Sequence, residues 1–246
     1  MILLDNPAWW ALNSLQASFA VGNGLARRYR PDILPFAAVA EPSVEAVRDL
    51  DVLVKEGEHL FLIGGLPPLP RGWTVEAELP CAQMIHPEGT PVIAGGPEIV
   101  SLEEKDREEM YTLIDIVQPG YYKRDTPLLG DYFGIRQEGK LVAMAGERMR
   151  MAGPGGWPGT EGVRSGRPEQ EQIEFSELSA IGTLPGYTGR QYAQYLIAQL
   201  CRCHMKTGIR SYLHVLKTNE RAIRLYELMG FIHRRDITFW KIRKGT

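Results

Sequence analysis

Apolar residues recur along this chain with two periods, and the period decides the element. Met110, Leu113, Ile114 and Val117 stand at i, i+3, i+4 and i+7, which predicts an amphipathic helix over Glu103 to Val117. Tyr192, Leu196 and Leu200, with Ala193 and Ile197, give a comparable stripe over Arg190 to Lys206. Ala222, Leu225, Tyr226 and Met229 share a face of a third helix, Glu220 to Met229. Its limits are marked by Asn219 as N-cap, an i, i+4 pair of Glu220 with Arg224, and Gly230 where a left-handed residue is expected. The opening segment reads as helical through Phe19.

Shorter apolar runs predict strands at Phe36 to Ala40, Leu60 to Ile63, Trp73 to Leu79, Ile99 to Leu102, Ile173 to Thr183 and Ser211 to Leu216. Ile232 to Ile242 reads as one or two more. Tyr132 to Arg136 and Leu141 to Arg148 flank Gln137-Glu138-Gly139-Lys140, so they form a hairpin. Ala152 to Glu171 holds six Gly and three Pro and predicts a long irregular connection. The Pro- and Gly-rich stretch His86 to Pro97 is taken as a boundary between an N-terminal α/β domain, 1–96, and a second domain, 97–246. The fold class that follows is mixed α/β, with no internal repeat visible in the residues.

Composition narrows this further. Of 246 residues, 44% are hydrophobic and 24% charged, which fits a water-soluble globular chain and excludes wholesale disorder, collagen and a disulfide miniprotein. Cys81, Cys201 and Cys203 are too few for a disulfide framework, so a reducing compartment, the cytoplasm, is expected. The first ten residues lack a basic start, and no apolar run approaches the ~18 residues of a membrane span. Net charge is −2, yet Cys201 to Thr246 carries 11 basic against 3 acidic residues and Met1 to Val100 carries 6 against 12. The basic end suits either a polyanionic ligand such as a nucleotide phosphate or a solvated tail. Aromatic and basic residues do not interleave as in RNA readers, so nucleic acid is not expected as a partner.

Two segments carry chemistry. From Ile181 to Ala193 the order is strand, loop with Gly186 and Gly189, then helix start, which gathers free N–H groups and the positive dipole end into an anion site able to hold a pyrophosphate. The second runs from Lys217 to Phe231 and puts Tyr226 on the inner face of its helix. Cys201-Arg202-Cys203-His204 has neither the spacing nor the fourth ligand of a tetrahedral zinc site, so no metal is expected. His214 alternates with Tyr212 and Leu216 and reads either as a sheet histidine or as a neighbour of the cleft. P-loop, zincin and serine-hydrolase motifs do not occur.

Together these two segments resemble the GNAT superfamily of N-acetyltransferases. Asn219, Ala222, Tyr226, Gly230 and Phe231 match its Asn-x-x-Ala-x-x-x-Tyr-x-x-x-Gly-Phe stretch, and Thr188 to Ala193 stands where its R/Q-x-x-G-x-G/A loop grips coenzyme A, with Thr188 in place of Arg or Gln and Gln191 in place of Gly. The resemblance implies a mostly antiparallel central sheet flanked by helices and acetyl transfer from acetyl-CoA to a primary amine, without a metal. It puts the coenzyme on Ile181, Gly182, Thr183, Thr188, Gly189, Arg190, Gln191, Tyr192, Ala193 and Asn219, and makes Tyr226 the general acid. Glu177 is the expected base, placed by strand alternation on the face of Ser179 and Ile181, with Glu174 and Glu147 competing for the role; read structurally it is an exposed strand carboxylate or a partner for a local Arg. The acceptor is a small-molecule or peptide amine and the protein a monomer or homodimer. Residues 1–96 lack the motifs and suggest a degenerate sister domain like that of glycine N-acyltransferase-like proteins. The alternative is a coenzyme A-binding regulatory or interaction module with little turnover.

Overall fold

The computed structural model describes residues 3–87, 93, 95–154 and 172–245. The opening segment is not one helix. It divides into α1 (Pro7–Leu12) between short 3-10 turns, because Asn13 and Ser14 turn their side chains back onto the carbonyls of Trp9 and Trp10 and so end the helix. A small sheet of β1 (Ala20–Val21), β2 (Ala26–Tyr29) and β3 (Ala37–Val39) follows, then α2 (Val44–Asp51), capped by the Ser43 hydroxyl. Neither β2 nor α2 stood out in the sequence.

The remaining strands make one eight-stranded sheet. In chain order they are β4 (His59–Ile63), β5 (Trp73–Ile85), β6 (Val100–Ser101), β7 (Tyr132–Gln137), β8 (Lys140–Pro154), β9 (Gln172–Thr183), β10 (Arg210–Leu216) and β11 (Ile232–Lys244). Their spatial order is β4-β11-β5-β10-β9-β8-β7-β6, so strands from both sides of the 96/97 division belong to one sheet, with β5 between β10 and β11. The β7–β8 hairpin turns at Glu138 and Gly139, both at positive φ, as a two-residue turn requires. The stretch expected to be irregular from Ala152 is strand up to Pro154; residues 155–171 of it lie outside the described residues.

The helices α3 (Arg107–Val117), α4 (Tyr192–Lys206) and α5 (Glu220–Leu228) cover the two faces. Alternation along β8 sets the sides: Ala143 and Ala145 pack with Leu196, Ile197 and Tyr226 of α4 and α5, while Met144 between them packs with Met110 and Ile114 of α3. Lower on the α3 face, Leu4, Leu12, Tyr29 and Phe36 of the N-terminal segment cover Met149, Met151, Phe175 and Phe239.

Candidate active site

The site is built where β9 and β10 part. These two strands are the sheet's parallel pair, and their register holds for three residue pairs, ending at Tyr212 with Glu177. Beyond that point β9 continues to Thr183 and β10 to Leu216 without each other, which leaves the β10-facing edge of β9 without a strand partner among the described residues. Opposite, β9 stays paired to β8, but Met144 faces Gly182 and Gly146 faces Ser179, so Ala180 and Ile181 together oppose the single Ala145. That is a β-bulge, and Ala180 takes a φ of +51°, a left-handed conformation that costs an alanine about 1 kcal/mol.

The bulge corrects one expectation. Glu177 and Ser179 do share the α3 face, but the extra residue reverses the alternation, and Ile181 packs instead with Leu178 on the α4 face. Gly182 then points at α3, where an added Cβ would lie 2.8 Å from Val117 Cγ2.

The loop that follows brings Thr188, Gly189, Arg190 and Gln191 to the surface, and α4 starts at Tyr192. Gln191 has a φ of +61°, so this position needs the conformation a glycine adopts freely, although the side chain present is glutamine. Its carbonyl accepts from the N–H groups of Gln194 and Tyr195. Among the described residues no backbone carbonyl takes up the N–H groups of Gly189 to Ala193, which form an open anion cradle at the helix mouth. The Arg190 guanidinium stands 5.2 Å from the centre of the Tyr187 ring, which holds its charge beside the cradle. Tyr192 is turned into the core and Ala193 is half-buried, so these two offer a ligand their backbone.

Tyr226 enters from α5. Asn219 is exposed, and its side-chain oxygen accepts from Ala222 N at 3.1 Å, so that oxygen is spent on capping the helix that carries the tyrosine. Gly230 ends the helix at φ +89° and Glu220 pairs with Arg224 at 3.1 Å. The Tyr226 side chain is 9% exposed, and burial, then the nearby Tyr121, raises its phenol well above the ordinary tyrosine range, so it stays protonated and able to donate.

Glu177 sits in a different setting from the one a solvent-linked base needs. It is wholly buried, receives Arg148 Nε at 2.8 Å and Nη2 at 2.5 Å, and pairs with His214 Nδ1 at 2.7 Å. Burial alone would raise its pKa, but Arg148 and then His214 hold it at about 2. Arg148 in turn lies 4.9 Å from the Phe36 ring, 5.4 Å from Tyr121 and 5.8 Å from Phe239. His214 Nε2 is 3.0 Å from Gln83 Nε2, whose amide also donates to Leu4 O, while Gln83 Oε1 accepts from Arg234. Because the Gln83 amide can only donate, His214 Nε2 accepts and the ring is the neutral tautomer with its proton on Nδ1. The sequence allowed Glu177 an arginine partner without showing which, and the two partners are 29 and 37 residues from it along the chain.

The Cys-x-Cys-His segment has another use. His204 pairs with Glu147 Oε1 at 2.7 Å and with Ser211 Oγ at 2.8 Å, tying α4 to the sheet. Burial pushes the Cys81 and Cys201 thiols up to about 12, far from the thiolate an acyl-cysteine route would need.

Comparison with known proteins shows the family and the fold. The family profile "Acetyltransferase (GNAT) family" matches residues 97–231. A GNAT-family protein from Novosphingobium aromaticivorans, solved as a crystal structure, is 33% identical with a TM-score of 0.83, and the match covers 100% of both chains. A GCN5-related N-acetyltransferase from Kribbella flavida is similar in fold at 16% identity and a TM-score of 0.55, over 97% of this chain and 93% of that one. No curated protein matches the chain.

Proposed function

The chain belongs to the GNAT family of acetyltransferases, and from that premise we propose that it transfers the acetyl group of acetyl-CoA directly to a primary amine, of a small molecule or a peptide. The observation that carries this reading is the parting of β9 from β10 after three residue pairs, with the open N–H cradle of α4 following β9 and Tyr226 packed in the same cluster as Ile181.

In this reading each group of residues has one task. The N–H groups from Gly189 to Ala193, with Arg190, bind the pyrophosphate. The free edge of β9 over Ile181, Gly182 and Thr183 pairs with the pantetheine arm as an added strand would, and a bulge N–H polarises the thioester carbonyl. Tyr226 donates a proton to the departing sulfur. Glu177, the base expected from the sequence, is buried against Arg148 and His214, and His214 Nε2 already accepts the Gln83 amide, so neither takes the ammonium proton and the acceptor reacts as the neutral amine.

The test is incubation with acetyl-CoA and a panel of amines, following thiol release, beside calorimetric binding of coenzyme A. Tyr226→Phe is expected to lower kcat by about 10- to 100-fold while coenzyme affinity stays within about twofold. Turnover unchanged in that variant removes Tyr226 from the chemistry, and coenzyme binding without thiol release for any amine makes the protein a binding module.

A further inference from the structure

The segment just after α3 touches the bulge, and nothing in the mechanism so far uses it. Gln118 Nε2 donates to Ile181 O at 3.3 Å, and Tyr121 donates its hydroxyl proton to Gln118 Oε1 at 3.0 Å, which turns the amide so that its NH2 end meets β9. The Tyr121 ring lies against the buried Arg148 guanidinium, 5.4 Å from its centre, and Arg148 is itself locked to Glu177. The last turn of α3 is pressed onto Gly182, with Leu113, Ile114 and Val117 all within reach of an added Cβ, so the segment starts from a fixed point. Between these contacts sits Ala180 in a conformation alanine does not favour. A strained bulge persists only where its surroundings hold it.

We propose that Gln118 and Tyr121 form a positioning clamp that holds the Ala180–Ile181 bulge of β9 in the shape that aims its N–H groups into the gap between β9 and β10. This rests on the transfer reading above for its kinetic consequence, but the clamp itself is a property of the free protein. The Tyr121 ring packs with the α3-face cluster that also holds Ala180. Gln118 acts through the Ile181 carbonyl, and Tyr121 through Gln118 and the Ala180 backbone.

Gln118→Met keeps the length and bulk of the side chain and removes its hydrogen bonds. In the full chain without ligand it is expected to speed amide exchange at Ile181 and Gly182 by about tenfold or more, with exchange along β10 unchanged. In turnover it is expected to lower kcat about tenfold with KM for acetyl-CoA within about twofold. Tyr121→Phe, which removes the hydroxyl that orients Gln118 and that also bonds Ser179 and the Ala180 backbone, is expected to do the same. Adding Ala180→Gly, which adopts the bulge conformation without strain, is expected to recover most of the turnover lost in Gln118→Met. Unchanged exchange at Ile181 and Gly182 overturns the clamp and leaves the transfer reading standing. A KM rise matching the fall in kcat also overturns it, because Gln118 would then be a coenzyme contact. If the unmodified protein binds acetyl-CoA and acetylates no amine, the transfer reading fails while the exchange measurement still decides the clamp.

Discussion

Residue by residue, the buried triad of Arg148, Glu177 and His214 has the most definite energetic signature. Glu177 titrates at about 2 in the folded protein against an ordinary 4.5, so its pairing stabilises the fold fully above the ordinary value and is lost as pH falls towards 2. Melting curves taken between about pH 5 and pH 2 are expected to show this loss in the unmodified protein and a flatter profile in Glu177→Gln. Arg148→Met strands the carboxylate in an aromatic, water-poor setting and is expected to cost about 3–5 kcal/mol at neutral pH, measured by urea unfolding. Single residues were legible in the sequence where local chemistry defines them. Asn219, Tyr226 and Gly230 stand where spacing placed them. Glu177 was chosen by strand parity, and parity says nothing of an arginine that folding brings alongside from 29 residues away.

At the level of elements, two close fits hold the site in shape. Gly182→Ala would set a methyl 2.8 Å from Val117 and 3.1 Å from Leu113, so it is expected to push α3 off β9 and cost about 1–3 kcal/mol, read by thermal denaturation. Gln191→Gly is expected to act in the opposite sense, gaining about 0.5–1 kcal/mol because the helix mouth already has glycine geometry, with coenzyme affinity kept. A β-branched replacement, Gln191→Ile, should lose stability in the same assay. Periodicity recovered α3, α4, α5 and the β7–β8 hairpin to within a few residues, since each buries one regular face. It could not show the bulge in β9, because one inserted residue leaves the apolar composition unchanged and alters only which side each residue faces.

For the whole molecule, the interleaving of strands governs what can be cut away. A 97–246 fragment carries the motifs of the family but lacks β5, so β10 and β11 lose the strand that joins them. Such a fragment is expected to be insoluble or to lack a cooperative melting transition, whereas the full chain shows one. The fold class was readable from the alternation of elements, and the architecture was not, because pairing between β5 and β11 leaves no trace in either strand's own sequence. The same arrangement bears on synthesis. β5 ends at Ile85, and both its neighbours lie beyond residue 209, so a nascent chain leaves the ribosome with this long strand unaccompanied until β10 and β11 have been made. Anything that stalls translation before β10 therefore leaves an adhesive ribbon bare.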